Sequence, residues 1–208
     1  MRKFVFLLPG LLISSVLVAG FLWYVNVYVE IGPPAPTSGF VQGEGQADIG
    51  GPFSLIDHNG VRRTEADFLG KYTLVFFGYT YCPDVCPTTL AVLSAVLREM
   101  GETADRVVPV LISVDPARDT PEAMRAYLSA FDPRFVGLTG SEEEIAEAAR
   151  VYRVYYQSHV QDGPNYTVDH SSVIYLMGPD GNFITNYTLE AGPQAIAANV
   201  MRQIAEVE

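Results

Sequence analysis

The sequence contains few cysteines and few basic residues for a chain of 208 residues. Only two residues are cysteine, which excludes a scaffold held by several disulfides and any zinc site built from three or four thiolates. Thirteen Lys and Arg against 24 Asp and Glu give a net charge of −11, which argues against binding to nucleic acid. The 49% hydrophobic content is sufficient for the core of one globular domain. We therefore expect the two cysteines to act as a pair.

One long segment, Phe4–Val29, has no charged residue. At about 1.5 Å per residue, a helix of this length exceeds a hydrocarbon core of roughly 30 Å. A cleaved signal peptide is the alternative, because Val18–Gly20 resembles a cleavage site, but its apolar core would be shorter. Arg2 and Lys3 are expected to remain in the cytoplasm. The sequence therefore predicts a single-pass anchor at residues 1–30 in a bacterial plasma membrane, with the rest of the chain on the extracytoplasmic side.

The remaining chain divides into a stalk and a folded domain. Residues 31–50 are rich in Gly and Pro and predict a flexible stalk, and residues 51–208 predict one domain. Strands that alternate with helices, followed by a hairpin and a last helix, indicate an α/β fold with a thioredoxin-like mixed sheet flanked by helices. The predicted strands are Phe53–Asp57, Tyr72–Phe77, Val107–Val114, Ser172–Met177 and Phe183–Tyr187, and the helices are Thr88–Met100, Pro121–Phe131, one from Glu142 and one from Pro193.

The two cysteines, Cys82 and Cys86, follow the most apolar predicted strand. Each precedes a proline, and a residue before proline avoids the α region, so we expect a loop with the helix beginning at Pro87. Cys86 would then lie near the helix cap, where the dipole lowers the pKa of a thiol. A structural disulfide is the alternative in an exported domain. Because a bridge across three residues stabilises little, a functional pair is favoured.

Three histidines are candidates to join the cysteines. His58 adjoins an Asn-Gly turn and His159 lies in a polar connection, so both are predicted to be solvated loop residues. His170 directly precedes the predicted strand Ser172–Met177. If that strand runs antiparallel beside the cysteine-bearing strand, its entry loop reaches Cys82 and Cys86. His170 is therefore the candidate third ligand.

Two thiolates and one imidazole form a soft site that suits Cu(I), whereas Mg²⁺ and Ca²⁺ prefer oxygen. Zinc would require a fourth ligand, which Asp84 or Asp169 could supply. Copper is therefore the favoured metal, and zinc is the alternative.

An ordered set of motifs resembles the Sco/SenC copper chaperones, which are involved in cytochrome c oxidase assembly. The resemblance covers the chain from about residue 48 to its end. One departure is Tyr81, which stands where many relatives have histidine and is not carried over as a ligand. The motifs are Gly51-Pro52-Phe53 with Asp57 and Gly60, Phe77–Thr80 leading into Cys82–Pro87, Ser113–Pro116 with Arg118–Glu122, and Val168–Ser171.

The resemblance implies a thioredoxin-like domain that binds copper through Cys82, Cys86 and His170. The copper would be Cu(I), and binding of Cu(II) is left open. The copper would come from an upstream periplasmic donor and go to the copper A-bearing subunit of cytochrome c oxidase. The alternative is a thiol-disulfide oxidoreductase, an enzyme whose redox pair Cys82 and Cys86 reduces the copper A cysteines of that subunit. Residues 115–122 fit either a strand end with a helix cap or a loop that docks a partner.

Two observations bear on the enzymatic alternatives. General thioredoxin-type oxidoreductases have two residues between their cysteines, and this chain has three. A thiol peroxidase of similar fold has a proline, threonine and cysteine pattern that is absent around Cys82 and Cys86. The resemblance thus implies primarily a metallochaperone and leaves enzymatic activity open.

Overall fold

The computed structural model describes residues 48–163 and 165–206, together with Val18, Phe21 and Trp23. The chain divides into two units, Met1–Ser38 and Gly39–Glu208. The three described residues of the first unit are helical and exposed. The rest of the predicted anchor, and the predicted stalk up to residue 47, lie outside the described residues. Within the parts of the chain that are described, no helix combines the length and the apolar character that a bilayer span requires.

The second unit alternates strands and helices, as predicted. Its described elements are β1 (Ser54–Asp57), β2 (Arg62–Thr64), β3 (Tyr72–Gly78), α1 (Val85–Met100), β4 (Val107–Ser113), α2 (Pro121–Leu128), β5 (Val136–Thr139), α3 (Glu142–Val151), β6 (Tyr156–Ser158), β7 (Val168–His170), β8 (Ile174–Met177), β9 (Phe183–Tyr187) and α4 (Gly192–Ala205).

Seven of the strands form one mixed sheet in the order β2-β1-β5-β4-β3-β8-β9, and β6 pairs with β7 in a separate two-stranded sheet. Strands β3, β4 and β5 are parallel to one another. Strand β8 runs antiparallel to β3, with Ile174 opposite Phe76. The chain that enters β8 therefore arrives beside the point where β3 ends. This confirms the antiparallel arrangement on which the prediction for His170 depended.

Strand β3 is buried along its whole length. On one face, the Tyr72 hydroxyl donates a hydrogen bond of 3.0 Å to the carbonyl oxygen of Gln203 in α4. On the other face, the Phe77 ring packs against Tyr152 at the end of α3, with centroids 5.4 Å apart. Burial on both faces explains why the sequence of this strand is continuously apolar and does not alternate.

The starts of α2 and α3 agree with the capping residues in the sequence. The Thr120 hydroxyl accepts a hydrogen bond from the first turn of α2. Ser141 and Glu144 form a reciprocal capping box at the start of α3, in which each side chain accepts from the other's backbone amide. Helix α2 ends at Leu128, so the predicted end at Phe131 was too long by part of a turn.

Strands β2, β5, β6 and β7 were not predicted. Strand β5 contains Gly137, and glycine weakens the strand pattern. A Cβ atom at this position would lie 2.7 Å from Leu128 and 2.9 Å from Met124, so glycine is what allows α2 to pack this closely on β5. Strands β6 and β7 have three residues each, which is too short for a two-residue period to be recognised.

Candidate metal centre

The structure brings Cys82, Cys86 and His170 together beyond the end of β3. Their ligand atoms all lie within 4.8 Å of one another. The Cys86 Sγ atom lies 3.4 Å from Nε2 of His170. Both cysteines are free, with Cys82 half-buried and Cys86 buried. Three residues predicted from separate parts of the sequence thus converge on one point, and the sulfurs are not joined in a structural disulfide.

The position of Cys86 differs from the prediction. Helix α1 begins at Val85, so Cys86 lies inside its first turn and not in the preceding loop. Proline at position 87 is compatible with this because an amide in the first turn needs no helical partner. Burial raises the pKa of the Cys86 thiol well above its ordinary value. The expectation that the helix start would lower this pKa was therefore wrong, because Cys86 is buried and its charged form would lose solvent.

The helix start instead contacts the other cysteine. The amide of Cys86 donates a hydrogen bond of 3.4 Å to the Sγ atom of Cys82. The amide of Cys82 in turn donates to the carbonyl oxygen of Tyr79, at 3.3 Å. These two hydrogen bonds fold the segment from Tyr79 to Cys86 back on itself. The resulting turn places the sulfurs of Cys82 and Cys86 on the same side.

Gly78, the last residue of β3, provides the space for the buried sulfur. A Cβ atom at this position would lie 2.9 Å from the Cys86 Sγ atom and 2.8 Å from the ring of Phe76. The sulfur therefore packs directly on the strand backbone. Gly78 does not have a left-handed backbone conformation, so its backbone angles do not require glycine. Glycine is required here because the sulfur approaches so closely.

His170 is oriented by its neighbours so that Nε2 faces the sulfurs. Its Nδ1 atom lies 3.2 Å from the carbonyl oxygen of Ser171. Because a carbonyl only accepts, Nδ1 must carry the proton, which leaves the lone pair on Nε2. Burial lowers the pKa of His170, so the ring is neutral at pH 7. Phe76 and Tyr79 contact the imidazole in edge-to-face geometry, with centroids 5.8 and 5.9 Å away.

The segment after β4 holds the cysteine segment through a buried carboxylate. Asp119 accepts hydrogen bonds from the hydroxyl and amide of Thr80 and from the hydroxyl of Ser113, the last at 2.7 Å. Burial raises the pKa of Asp119. Since Thr80 lies two residues before Cys82, the Asp119 carboxylate anchors the cysteine segment to the sheet. The interpretation of residues 115–122 as a strand end and a helix cap is confirmed by the bond at Thr120, and a docking role stays a prediction.

The other candidate ligands lie elsewhere. His58 accepts a hydrogen bond of 3.1 Å from the amide of Gly137 through Nδ1. His159 pairs with Asp169, with Nε2 and Oδ2 2.9 Å apart. Among the described residues, neither these histidines nor Asp84 or Asp169 belongs to the cluster. The fourth ligand that zinc would require is therefore not among the described donors, whereas two sulfurs and one imidazole nitrogen fit Cu(I).

Sequence reasoning did not identify Gly78, Tyr79, Arg118 and Tyr166 as residues that shape the site. Gly78 and Tyr79 belong to the motif before the cysteines, and Arg118 belongs to the motif after β4. Tyr166 lies in a polar connection without a pattern, so only the fold shows where it contacts the others.

Comparison with known proteins places this arrangement in a family. The sequence profile of SCO1/SenC matches residues 41–205. The chain belongs to the SCO1/SenC family. Its Cys-Cys-His cluster lies in a thioredoxin-like domain of this family.

Three similar proteins illustrate the family. The Arabidopsis thaliana protein SCO1 homolog 1, mitochondrial, is 45% identical over 87% of this chain and 52% of its own length. The structure of Bradyrhizobium japonicum ScoI with copper bound is 51% identical over 74% of this chain and 98% of that chain, with a TM-score of 0.70. The structure of BsSco, reported with a disulfide switch in this member of the Sco family of cytochrome c oxidase assembly proteins, is 25% identical over 77% of this chain and 96% of that chain, with a TM-score of 0.63. The chain spans about half the length of the Arabidopsis relative.

The close packing of Cys86 on β3 predicts that Gly78→Ala destabilises the domain. The added methyl group has no space, and overpacking of this kind costs about 1–3 kcal/mol of unfolding free energy. Urea unfolding of the reduced protein measures the loss. In a Cys86→Ala background the same substitution should cost less, because the sulfur is gone and only the contacts with Phe76 and Leu111 remain. An equal cost in both backgrounds would show that the sulfur does not limit this space.

Proposed function

We propose that this chain is a membrane-anchored, extracytoplasmic copper metallochaperone that delivers copper to the copper A centre of cytochrome c oxidase. Copper is its cargo, held by Cys82, Cys86 and His170. The observation that carries the proposal is the donor set, with two sulfurs and the lone pair of a neutral imidazole all within 4.8 Å. Soft donors of this kind favour Cu(I). The copper-bound structure of the Bradyrhizobium relative supports the same assignment.

The site has the properties of a carrier that must release its cargo. Three protein ligands hold Cu(I) without excluding a further ligand, so a thiolate of the recipient can bind the copper before the carrier releases it. Cys82 is the more exposed of the two sulfurs and is the natural ligand to exchange first. Because burial keeps the Cys86 thiol protonated, copper must displace that proton on entry, and a proton must return when copper leaves.

The alternative function is reduction of the copper A cysteines by the same pair. In this reaction the Cys82 thiolate would attack a disulfide of the recipient and form a mixed disulfide. Cys86 would then attack Cys82, and two electrons would pass to the recipient as the chain's own disulfide forms. The free state and the proximity of both thiols support this alternative, as does the disulfide switch reported for BsSco.

The proposed location rests on the N-terminal sequence. We propose that residues 1–30 anchor the chain in a bacterial plasma membrane and that residues 31–50 connect the anchor to the folded domain. The uncharged run Phe4–Val29 and the basic residues Arg2 and Lys3 support a single pass with the copper site outside the cytoplasm. An upstream donor on that side of the membrane would supply the copper.

The ligand assignment predicts the copper affinity of single variants. The full chain, reduced and kept anaerobic in detergent, should bind one Cu(I) in competition with a coloured Cu(I) chelator. Cys82→Ser, Cys86→Ser and His170→Ala should each weaken binding by more than about tenfold, because each removes one of only three donors. The control His58→Ala removes a histidine outside the cluster and should bind as the wild type does. Wild-type affinity in His170→Ala would remove the histidine from the site.

The two functions are separated by His170→Ala, because the imidazole is a ligand and not part of the redox pair. Copper-loaded wild type should transfer its ion to a purified, reduced copper A domain, and His170→Ala should fail to do so. The wild type and His170→Ala, both metal-free and reduced, are then each mixed with an oxidised copper A domain. Labelling of the thiols that form on this domain measures its reduction. Transfer by the wild type supports the metallochaperone. Reduction by both proteins without copper transfer would favour the reductase.

The anchor predicts fractionation with the membrane. The full chain should remain in the membrane pellet after a carbonate wash, and protease added to the outer face should digest the domain. Val16→Arg with Leu17→Arg should release the chain from the pellet, because each central arginine costs about 2.5–3.5 kcal/mol on insertion. Recovery of the unaltered chain in the carbonate-soluble fraction would refute the anchor.

A further inference from the structure

Arg118 lies between the two segments that carry the candidate ligands. Its guanidinium carbon is 3.6 Å from the ring centroid of Tyr166 and 4.7 Å from that of Tyr81. Tyr81 directly precedes Cys82, and Tyr166 comes shortly before His170 in the chain. A single cation therefore contacts the cysteine segment through one ring and the histidine segment through another.

Hydrogen bonds fix this cation and Tyr166 to the end of the sheet. Nη1 of Arg118 donates to the carbonyl oxygen of Tyr166 at 2.9 Å, and Nε donates to a carboxylate oxygen of Asp115. The Tyr166 hydroxyl donates to the other oxygen of the same carboxylate. The Asp115 side chain is 2% exposed and that of Arg118 is 13% exposed. The three residues thus form a closed ring of charge-assisted bonds that is largely shielded from water.

One nitrogen of the guanidinium, Nη2, is buried without a hydrogen-bond partner in the described structure. Burial of such a group is unfavourable unless something replaces the lost water. The faces of Tyr166 and Tyr81 supply that replacement through cation-π attraction, which also binds the two rings to the same cation. Arg118 also neutralises the buried Asp115 carboxylate, which would otherwise be a buried charge without a partner.

The position of His170 depends on such side-chain contacts. Its strand, β7, pairs only with β6 within the described chain, and this small sheet has no strand pairing with the seven-stranded sheet. Arg118 holds the segment at Tyr166, and the hydroxyl of Tyr79 accepts a hydrogen bond of 3.2 Å from the amide of Val168. These attachments precede His170 by a few residues and hold the chain that leads to its ring.

We propose that Arg118 is a positioning residue for the copper site, which sets the approach of the His170 ring to the sulfurs by clamping Tyr166 and Tyr81 to one guanidinium. The inference deepens the proposed function and rests on it. Arg118 itself contributes no ligand atom to the cluster. Its effect on copper is therefore transmitted through the distance between the His170 ring and the two sulfurs.

The test combines Arg118→Met with His170→Ala in a double-mutant cycle on the reduced full chain in detergent, with Cu(I) as the probe. Arg118→Met should lower the Cu(I) affinity by about tenfold, as the loss of groups that orient a ligand does in other metal sites. In the His170→Ala background the same substitution should change the affinity little, because the ring that it positions is absent. The control Arg125→Met makes the same charge change at an exposed site of α2 and should bind as the wild type does. An equal loss in both backgrounds, or equal behaviour of Arg118→Met and Arg125→Met, would overturn the inference.

A second readout needs no copper, so it separates failure of this inference from failure of the proposed function. Nitrogen and proton NMR can observe the ring of His170 in the metal-free chain. In the wild type this ring should give one sharp set of signals. Arg118→Met should broaden or multiply those signals. If Arg118→Met does not fold, Arg118→Lys replaces it, since this variant keeps a cation beside Asp115 and removes the planar guanidinium that contacts both rings and the Tyr166 carbonyl. Unchanged His170 signals in a folded variant would refute the positioning role even if the wild type bound no copper.

Discussion

The antiparallel pairing of β8 with β3 is the constraint on which the candidate metal centre depends. It places the start of β8 beside the end of β3, so the chain before β8 reaches the chain after β3 although the two are far apart in sequence. The pairing register also decides which side chains face α1, because a shift by one residue would exchange the faces of the strand. With Phe76 opposite Ile174, the ring of Phe76 lies under His170 and Gly78 lies under Cys86.

Burial then determines the chemistry of the residues that the pairing brings together. It raises the pKa of Cys86 and lowers that of His170, so both favour their uncharged forms. In the proposed function, entry of Cu(I) with loss of the Cys86 proton would exchange one positive charge for another at this buried sulfur. Cys82 is only half-buried and is the more accessible of the two cysteines.

The large features of the fold were predictable because each has a strong local cause. The continuous apolar run of β3, the cap at Thr120 and the box of Ser141 and Glu144 all act within a few residues of the chain. The other strands were not predicted because three residues are too few to show a two-residue period, as in β6 and β7, or because packing requires a residue that weakens the pattern, as with Gly137. The pKa of Cys86 was mispredicted because its main cause is nonlocal. The helix dipole can be inferred from local sequence, whereas desolvation depends on what packs above the residue.

The sequence by itself determined that the chain has a single pair of cysteines, that they follow a buried strand, and that one histidine precedes another strand. It also carried the ordered motifs of the SCO1/SenC family, because those motifs are short and local. Only the tertiary structure decided that the three side chains meet, that the helix amide contacts Cys82 and not Cys86, and that Arg118 lies between the two segments. These features depend on distances between segments remote in the chain, and such distances are set by strand register and packing, which no local pattern of residues encodes.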